Sequence, residues 1–405
     1  MNFLSTILHA VLSFLDGGLF ELSAWHMVVY TLVVTHITIA GVTIYLHRHQ
    51  AHRSLEMHPI ASHFFRFWLW LTTGQVTKEW AAVHRKHHAK CETEEDPHSP
   101  QVRGIKKVLL EGAELYRAET KNQETLDKYG HGCPNDWIER KLYTPYSWVG
   151  VSMLLPLNVM LFGVAGITIW AVQMAWIPVT AAGIINGIGH YWGYRNFACA
   201  DASRNIVPWG ILIGGEELHN NHHAYGTSAK LSSRWYEFDI GWMYIRMLEL
   251  VGLAKVRKVA PKLKRASAVK HVPDLATLQA VITHRYSVAS HYAKAVRDAC
   301  ALEIRQLRER GAEHLPSTSR LKRWLAVDDA TVLAEPERAT LAQLLERSHA
   351  LKTIYAMRQE LNAVWERSTE SSEQLLLRLQ DWCRRAEASG IPPLARFAVD
   401  LKRFA

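Results

Sequence analysis

Two long stretches in the first half of the chain contain no Asp, Glu, Lys or Arg: residues 22–47 and residues 142–194. A helix needs about 20 mostly apolar residues to cross a hydrocarbon core that is about 30 Å thick. Ala24–Leu46 meets that length. Tyr146–Tyr194 is long enough for two spans, with a turn near the GVAG segment at 163–166. The pattern therefore predicts three membrane-spanning helices in these stretches.

Two further apolar segments are weaker candidates. Asn2–Phe20 is interrupted by Asp16, so it is either a span or a helix that lies at the membrane interface. Ile60–Val76 contains Arg66 and many aromatic residues, which favours an interfacial or re-entrant helix. Together with the longer stretches, these segments predict an all-α integral membrane protein with about four transmembrane helices.

The pattern changes toward the C-terminus. Ala276–Arg310, Leu341–Trp365 and Ser372–Ala388 place apolar residues at helical spacing with charged residues between them, as amphipathic helices do. We therefore predict two domains. Residues 1–258 form the membrane domain, and residues 259–405 form a soluble helical extension.

The chain has 405 residues and a formal net charge of +9. In a membrane protein, an excess of basic residues is concentrated in the cytoplasmic loops. Basic pairs such as Lys106-Lys107 and Arg140-Lys141 lie in the polar segments between the apolar stretches, so we expect these segments to be cytoplasmic. The five cysteines are odd in number and show no CxxC spacing, which argues against a disulfide framework and against a cysteine zinc site.

Histidines are concentrated in four short segments: HRHQAH at 47–52, HRKHH at 84–88, NGIGH at 186–190 and HNNHH at 219–223. Residues at i, i+3 and i+4 share one helix face, so each HxxHH group can point its three rings together. His47 and His52 are five apart, and a regular helix would splay them by about 140°. A fraying helix end just outside the membrane would still bring both rings to one site.

This clustering predicts a metal site, because imidazoles held close together repel one another when protonated, whereas a bound metal keeps them neutral. The nine candidate ligands are His47, His52, His84, His87, His88, His190, His219, His222 and His223. A zinc site takes about four ligands, so nine histidines indicate two ions. Imidazole binds zinc, copper, iron and nickel. Two redox-active ions at a membrane edge suit dioxygen chemistry on a buried hydrocarbon, which favours iron, with copper as the alternative.

The segments HRHQAHR, EWAAVHRKHHAKCETEEDPHSP, NGIGHYWGYRNF and GGEELHNNHHAY, in this order, resemble the histidine boxes of membrane fatty acid desaturases, above all the stearoyl-type delta-9 group. The similarity covers residues 20–258. It implies a four-span, mushroom-shaped helical membrane domain under a cytosolic cap, which holds a di-iron centre with the nine histidines as ligands. Asn186 matches an asparagine that holds a metal-bound water, and Trp80 matches an aromatic residue at the bend of the acyl tunnel. His49 and His98 fall outside the ligand pattern.

The resemblance also implies a reaction. Such enzymes use O2 and two electrons to remove two hydrogens from adjacent methylenes of a saturated acyl chain, and we expect a cis double bond at delta-9. Acyl-CoA enzymes of this group carry Arg-Asp immediately before the second box, where this chain has Ala82-Val83. We therefore expect phospholipid-bound acyl chains as the substrate, with acyl-CoA as the alternative. The chain has no His-Pro-Gly-Gly haem motif, so electrons are expected from a separate ferredoxin or NAD(P)H-dependent reductase.

Two other functional classes stay open. A membrane di-iron hydroxylase acting on alkanes or sterols shares the opening steps, and a non-catalytic metal-binding or sensor membrane protein would also need clustered histidines. The His-x4-His spacing together with two HxxHH boxes favours the desaturases. We expect a multi-pass protein of the bacterial inner (cytoplasmic) membrane whose metal site faces the cytoplasm.

The tail carries a second resemblance. ALKTIYAMRQELNAVWERS, which runs into EQLLLRLQDWCRRAEASGI, is similar to the helical C-terminal segment of some insertion-sequence transposases. This similarity covers about the last 60 residues, and no acidic catalytic triad accompanies it. We therefore expect the tail to be a helical docking or interaction module, and we expect no nucleic-acid partner.

Overall fold

The computed structural model describes residues 3–310, 315–317, 320, 321, 324, 335–366 and 370–405. The protein is mostly helical and divides into two compact units. The first unit contains residues 1–195 and 201–260, and the second contains residues 196–200 and 261–405. Each unit has a hydrophobic core of its own.

The first unit is built from helices joined by loops and two short strand pairs. Its helices are α1 (Phe3–Gly17), α2 (Ala24–Ala40), α3 (Pro59–Thr73), α4 (Thr77–Lys90), α5 (Pro100–Arg103), α6 (Ile105–Glu119), α7 (Gln123–Tyr129), α8 (Ser147–Phe162), α9 (Ala165–Ile177), α10 (His219–Ala224) and α11 (Ile240–Leu250). Its π-helical segments are Gly41–Ala51, which continues α2, Glu139–Tyr143, and Pro178–Ile188, which continues α9. Strand β1 (Leu55–Met57) pairs antiparallel with β4 (Ala254–Val256), and β2 (Trp209–Gly210) pairs parallel with β3 (Phe238–Asp239).

Two helices among the described residues are long and apolar enough to cross a membrane, Ala24–Ala51 and Ala165–Ile188. Helix α8 is also apolar but has only 16 residues. Helix α1 leaves several large apolar side chains exposed, including Leu8 and Leu12. By length and composition, the described part of the chain therefore contains two candidate spans, and the total of four stays a prediction.

Gly163 separates α8 from α9. Its φ is 60°, in the left-handed region, and a Cβ at this position would lie 2.3 Å from the carbonyl oxygen of Leu15. Glycine adopts this conformation at no steric cost, and any other residue would clash with the backbone of α1. The turn predicted near 163–166 is therefore confirmed.

A buried ion pair anchors the π-helical segment that continues α2. Arg48 is 1% exposed, and its guanidinium donates to both carboxylate oxygens of Asp239, at 2.9 and 3.1 Å. The same group donates to the carbonyl oxygens of Gly214 and Ala229. These bonds fix the first histidine segment to the loops that precede α10 and α11.

The second unit contains α12 (Leu275–Thr283), α13 (Arg285–Glu309), α14 (Glu335–Arg347), α15 (His349–Ala363), α16 (Ser372–Ala388) and α17 (Pro392–Leu401). The helix predicted at 276–310 is wrong as a single element, because the backbone leaves helical geometry at His284. The helix predicted at 341–365 is also divided, because Ser348 caps α15 by accepting the backbone N–H of Leu351. The third predicted helix is confirmed, and a capping box formed by Ser371 and Gln374 begins it.

Candidate metal centre

The first histidine segment lies on π-helical backbone. His47 belongs to the segment Gly41–Ala51, and His52 follows as its C-terminal cap. The backbone N–H of His52 donates to the carbonyl oxygen of His47 at 3.0 Å, across the five residues that define a π-helical turn. The ring centroids of His47 and His52 are 4.8 Å apart. The two rings therefore come together as predicted, but through a π-helical turn and not through a fraying helix end.

The other histidine segments lie on or next to helices. Helix α4 carries His84, His87 and His88, helix α10 carries His219, His222 and His223, and His190 follows the π-helical segment that continues α9. Each HxxHH segment is α-helical, so its three rings project from one face as predicted.

The nine predicted histidines come together in two groups, and within each group the candidate ligand atoms all lie within 4.8 Å of one another. The five-histidine group contains His47, His52, His84, His88 and His222. The four-histidine group contains His87, His190, His219 and His223. Both HxxHH segments contribute to both groups. The groups are adjacent, because the rings of His88 and His223 stack with their centroids 4.4 Å apart.

The ring nitrogens of the five-histidine group approach one another closely. Nε2 of His222 lies 3.0 Å from Nε2 of His47 and 2.8 Å from Nε2 of His88. A ring nitrogen carries either one hydrogen or one lone pair, so it cannot form good hydrogen bonds to both neighbours. Two nitrogens bound to one ion at about 2.1 Å, roughly at a right angle, lie about 3.0 Å apart. The observed spacing therefore fits nitrogens that share a metal ion.

The four-histidine group repeats this arrangement around His190. Nε2 of His190 lies 3.2 Å from Nε2 of His87 and 2.9 Å from Nε2 of His219. Nε2 of His223 is buried, and the described part of the chain offers it no hydrogen-bond partner. Leaving such a group unsatisfied costs about 1–3 kcal/mol. A bound cation would satisfy these nitrogens in both groups.

Most of these rings are held in the neutral form. Burial, reinforced by the charges of neighbouring imidazoles, lowers the pKa well below its usual value for His52, His84, His88, His219, His222 and His223. The neutral imidazole is the form that binds metals. The electrostatics of the site therefore favour a metal cation over protons.

Four of the histidines place their other nitrogen, Nδ1, against a carboxylate. The pairs are His47 with Glu216 at 2.8 Å, His87 with Asp96 at 3.0 Å, His190 with Glu92 at 2.9 Å, and His223 with Asp201 at 3.0 Å. A carboxylate that accepts from Nδ1–H fixes the tautomer and leaves Nε2 available to a metal. None of the four carboxylates was predicted from the sequence. Three of them lie near a histidine box in the sequence, and this position could have suggested their role. The position of Asp201 suggested no such role.

A cavity of about 420 Å³ is lined in part by His47, His84 and His219. This volume lies in the range of roughly 300–1,000 Å³ that is typical of small-molecule sites. The cavity wall formed by α9 and its π-helical continuation consists of Trp170, Gln173, Met174, Ile177, Pro178, Ala181, Ala182, Ile185 and Asn186. Trp80 also lines the cavity and stacks on His84, with ring centroids 4.9 Å apart. The roles of Trp80 in an acyl tunnel and of Asn186 at a metal-bound water stay predictions.

The remaining residues that the sequence analysis singled out lie around this site. His49 belongs to neither histidine group, and its Nδ1 lies 3.0 Å from the carbonyl oxygen of Leu55. His98 stacks on His87 and lines the cavity. Ala82 and Val83 are 0% and 2% exposed, so in this chain the two positions before the second box do not face solvent.

Comparison with known proteins gives relatives for the first part of the chain. Delta-9 acyl-lipid desaturase 2 of Arabidopsis thaliana is 29% identical over 250 residues, which cover 60% of this chain and 78% of that protein. An sn-1 stearoyl-lipid 9-desaturase of Synechocystis is 29% identical over 276 residues, 65% of this chain and 81% of that protein. An acyl-CoA C20 Delta5-desaturase of Anemone leveillei is 29% identical over 247 residues, 58% of this chain and 74% of that protein.

Two family models match the chain in separate regions. Residues 265–405 match a family described as Transposase, so that similarity extends well beyond the last 60 residues. Residues 23–246, more than half of the chain, match the family described as Fatty acid desaturase and include all nine clustered histidines. The chain therefore belongs to the fatty acid desaturase family.

Proposed function

We propose that this desaturase introduces a cis double bond at the delta-9 position of long-chain saturated acyl chains that are esterified in membrane lipid. The observation that carries the proposal is the cavity that is lined by histidines of both groups. The methylenes of a saturated chain are chemically alike, so a binding cavity selects one pair by position alone. The names of the Arabidopsis and Synechocystis relatives support both the delta-9 position and the lipid carrier.

The proposed cofactor is a pair of iron ions, one held by each histidine group, with Asn186 holding a metal-bound water. Imidazole is a suitable ligand for iron, and the close nitrogen spacing in both groups supports one ion in each. When bound, the two irons activate O2, so that O2, two electrons, two protons and the two hydrogens of the acyl chain end as two water molecules and one new double bond.

The residues of the chain contribute positioning and exclusion of water. Glu216, Asp96, Glu92 and Asp201 orient four of the imidazoles through Nδ1. Trp80 holds His84 by stacking. The histidines themselves are largely buried, with His190 at 0% exposure and His222 at 1%. A site closed to water protects a strong oxidant from side reactions.

The lipid carrier is supported by the positions that precede the second box. Ala82 and Val83 are apolar and buried, so neither offers a charge to the phosphates of coenzyme A. An acyl-CoA substrate is the alternative, and one relative is named as an acyl-CoA enzyme. The electrons are proposed to come from a separate ferredoxin or an NAD(P)H-dependent reductase.

The proposed topology has four transmembrane helices, formed by α1, α2 with its π-helical continuation, α8, and α9 with its π-helical continuation. The apolar character of all four helices supports this topology. His47 and His52 lie at the C-terminal end of the second span and His190 follows the fourth, so both ends face one side. We propose that this side is the cytoplasm of a bacterium and that the protein resides in the inner membrane.

The test is the composition of membrane lipids in cells that express the full chain, compared with cells that express His222→Ala. Mass spectrometry that resolves double-bond position should find a new delta-9 double bond only with the intact chain. In a pulse experiment, labelled saturated chains should enter phospholipid first and become unsaturated afterwards. Desaturation of purified acyl-CoA before any incorporation into lipid would instead favour the acyl-CoA alternative.

Two other outcomes would overturn the proposal. A hydroxylated lipid without a new double bond would indicate a membrane hydroxylase. Unchanged lipids, from a protein that retains its metal and is supplied with a working electron donor, would indicate a metal-binding protein without this activity.

A further inference from the structure

Helix α11 carries apolar residues on two opposite sides. On one side Ile245 is fully buried, and Trp242, Tyr244 and Leu248 pack on the core of the first unit. The other side leaves four apolar side chains exposed, which we call the α11 stripe: Met243 at 38%, Met247 at 55%, Leu250 at 82% and Val251 at 69%. They are spaced i, i+4, i+7 and i+8, so they share one face within an arc of about 100°. An exposed apolar face of this kind indicates an interaction surface.

Helix α11 is attached to the first candidate span. The hydroxyl of Tyr244 lies 2.7 Å from Nε2 of His36, and the two rings meet edge to face with their centroids 5.7 Å apart. His36 lies within the candidate span Ala24–Ala51, twelve residues after Ala24. At a rise of 1.5 Å per residue this is about 18 Å into a hydrocarbon core that is about 30 Å thick. Where α2 crosses the membrane, Tyr244 therefore lies beside it at the depth of the lipid.

The apolar surface continues from α11 onto α2 and the strand pair β2–β3. Leu32 and Val33 precede His36 by four and three residues, so they share its face of α2, and both are exposed. Trp209 and Phe238 are paired across β2 and β3 immediately before α11, and both are exposed as well. Aromatic side chains in such positions are typical of the boundary between membrane and water.

The charge on α11 also fits a position at the lipid headgroups. Arg246 lies at the edge of the α11 stripe, about 60° around the helix from Met243. Its guanidinium lies over the ring of Trp242, 5.7 Å from the centroid, and pairs with Glu249. The stripe itself contains no acidic residue. A basic residue beside an apolar face is the arrangement of helices that lie in the plane of a membrane surface.

We propose that α11 is an interfacial helix whose stripe inserts among the acyl chains of the membrane lipid. The inference rests on the proposed topology, because it requires α2 to cross the membrane. Lipid is the occupant because the stripe continues the exposed apolar face of α2. Asp239 caps α11 and binds Arg48, which lies between two residues of the first histidine segment. The inserted helix therefore holds that segment at the membrane surface, beside the acyl chains.

The test uses the full-length protein in phosphatidylcholine vesicles, with a bimane fluorophore on one introduced cysteine at a time. Met247→Cys and Leu250→Cys place the label in the stripe. Lys255→Cys is the polar control and Leu32→Cys is the control within the span, and all four replaced side chains are exposed, so packing is kept. The unchanged chain, treated in the same way, gives the background from its five native cysteines. Quenching by lipid brominated in the upper part of the acyl chain is compared with quenching by aqueous iodide.

An interfacial helix sinks about 5–10 Å into the lipid, so iodide should quench the labels of Met247→Cys and Leu250→Cys about threefold less than the label of Lys255→Cys. Brominated lipid should quench the two stripe labels about threefold more than the Lys255→Cys label, because the bromine atoms lie at the depth of the stripe. The label of Leu32→Cys should respond to brominated lipid and not to iodide.

Three outcomes would overturn the inference. Stripe labels that iodide quenches as strongly as the Lys255→Cys label would show that the stripe faces water. Stripe labels that neither quencher reaches would show that protein, such as a second copy of the chain, covers the stripe. In both cases a Leu32→Cys label that responds to brominated lipid leaves the proposed topology intact. A Leu32→Cys label that does not respond to brominated lipid would refute the topology and the inference together.

Discussion

Oε1 of Glu216 lies 2.8 Å from Nδ1 of His47, and the hydroxyl of Thr43 donates to the same carboxylate oxygen. The preceding residue, Gly215, has a φ of 98°, and a Cβ there would lie 2.3 Å from Oδ1 of Asp239. The glycine thus lets the chain pass close to the buried Arg48–Asp239 pair and places Glu216 against His47. Glu216, which lies just before the fourth histidine segment, therefore orients His47 of the first histidine segment.

Replacement of Glu216 by Ala should weaken metal binding at the five-histidine group by about ten- to a hundredfold, because loss of a carboxylate partner frees the ring of His47. Competition with a graded series of chelators measures this affinity. Glu56→Ala is the matched control, since Glu56 is an exposed carboxylate that pairs with Arg257 away from the histidines. Equal metal affinity in both variants would contradict the positioning role of Glu216.

Removal of a candidate ligand should lower the metal content, whereas removal of His49 should not. His222→Ala should lower the metal content by at least half, because Nε2 of His222 lies within 3.0 Å of Nε2 of both His47 and His88. His49→Ala should retain the metal, since Nδ1 of His49 faces the carbonyl oxygen of Leu55. Metal analysis of the purified variants measures both effects. If His49→Ala loses metal as His222→Ala does, the proposed ligand set is wrong.

Protein purified from iron-replete cells should contain close to two irons per chain, because the nine histidines form one group of five and one of four. Elemental analysis by mass spectrometry, normalised to amino-acid analysis, gives the ratio. Zinc found after overproduction calls for a repeat at lower expression, since zinc also binds imidazole. One iron per chain with full activity would contradict the two-ion proposal.

The α-helical parts of the site follow from sequence spacing alone. His84, His87 and His88 share a face because α4 is a regular helix, and the spacing of the HNNHH segment works in the same way in α10. The spacing of His47 and His52 did not predict their proximity, because a π-helical turn depends on tertiary packing and has no simple residue signature.

The sequence also did not predict which residues that are far apart in the chain pair with one another. Glu216 and His47 are 169 residues apart, and Arg48 and Asp239 are 191 apart. A single sequence gives no reason to pair one carboxylate with one distant ring. The break of the tail helix at His284 was missed for a related reason, because the apolar spacing runs through it without a proline or glycine.

Replacement of Arg48 by Met should destabilise the first unit by about 3–5 kcal/mol, because Asp239 would then remain buried without its cation. The apparent Tm in detergent measures the change. Arg246→Met is the control, since Arg246 and Glu249 form an exposed pair of which about 1 kcal/mol or less is expected. The double variant Arg48→Met/Asp239→Asn should recover part of the lost stability, because the amide oxygen still accepts the backbone N–H of Trp242 at the start of α11 but carries no charge. A Tm for Arg48→Met equal to that of the control would show that the buried pair does not anchor the segment.

The hydrophobic cores of the two units are built from separate parts of the chain. Removal of the tail should therefore leave the first core complete. The buried core of the first unit draws its residues from Ile39 to Ala254, and that of the second draws its residues from Leu278 to Phe404. A chain that ends at Ala260 therefore keeps every member of the first core, all nine histidines and their four carboxylate partners. We expect it to bind as much metal per chain as the full-length protein.

Metal content and desaturation with a small-molecule reductant test the truncated chain directly. Retention of both, with lower activity only when a protein electron donor supplies the electrons, would assign the tail a docking role. His222→Ala in the truncated chain is the control for specific metal, because it removes one histidine of the five-histidine group and should lower the metal content as it does in the full chain. Loss of metal on truncation alone would show instead that residues after Ala260 are needed to hold the histidine site together.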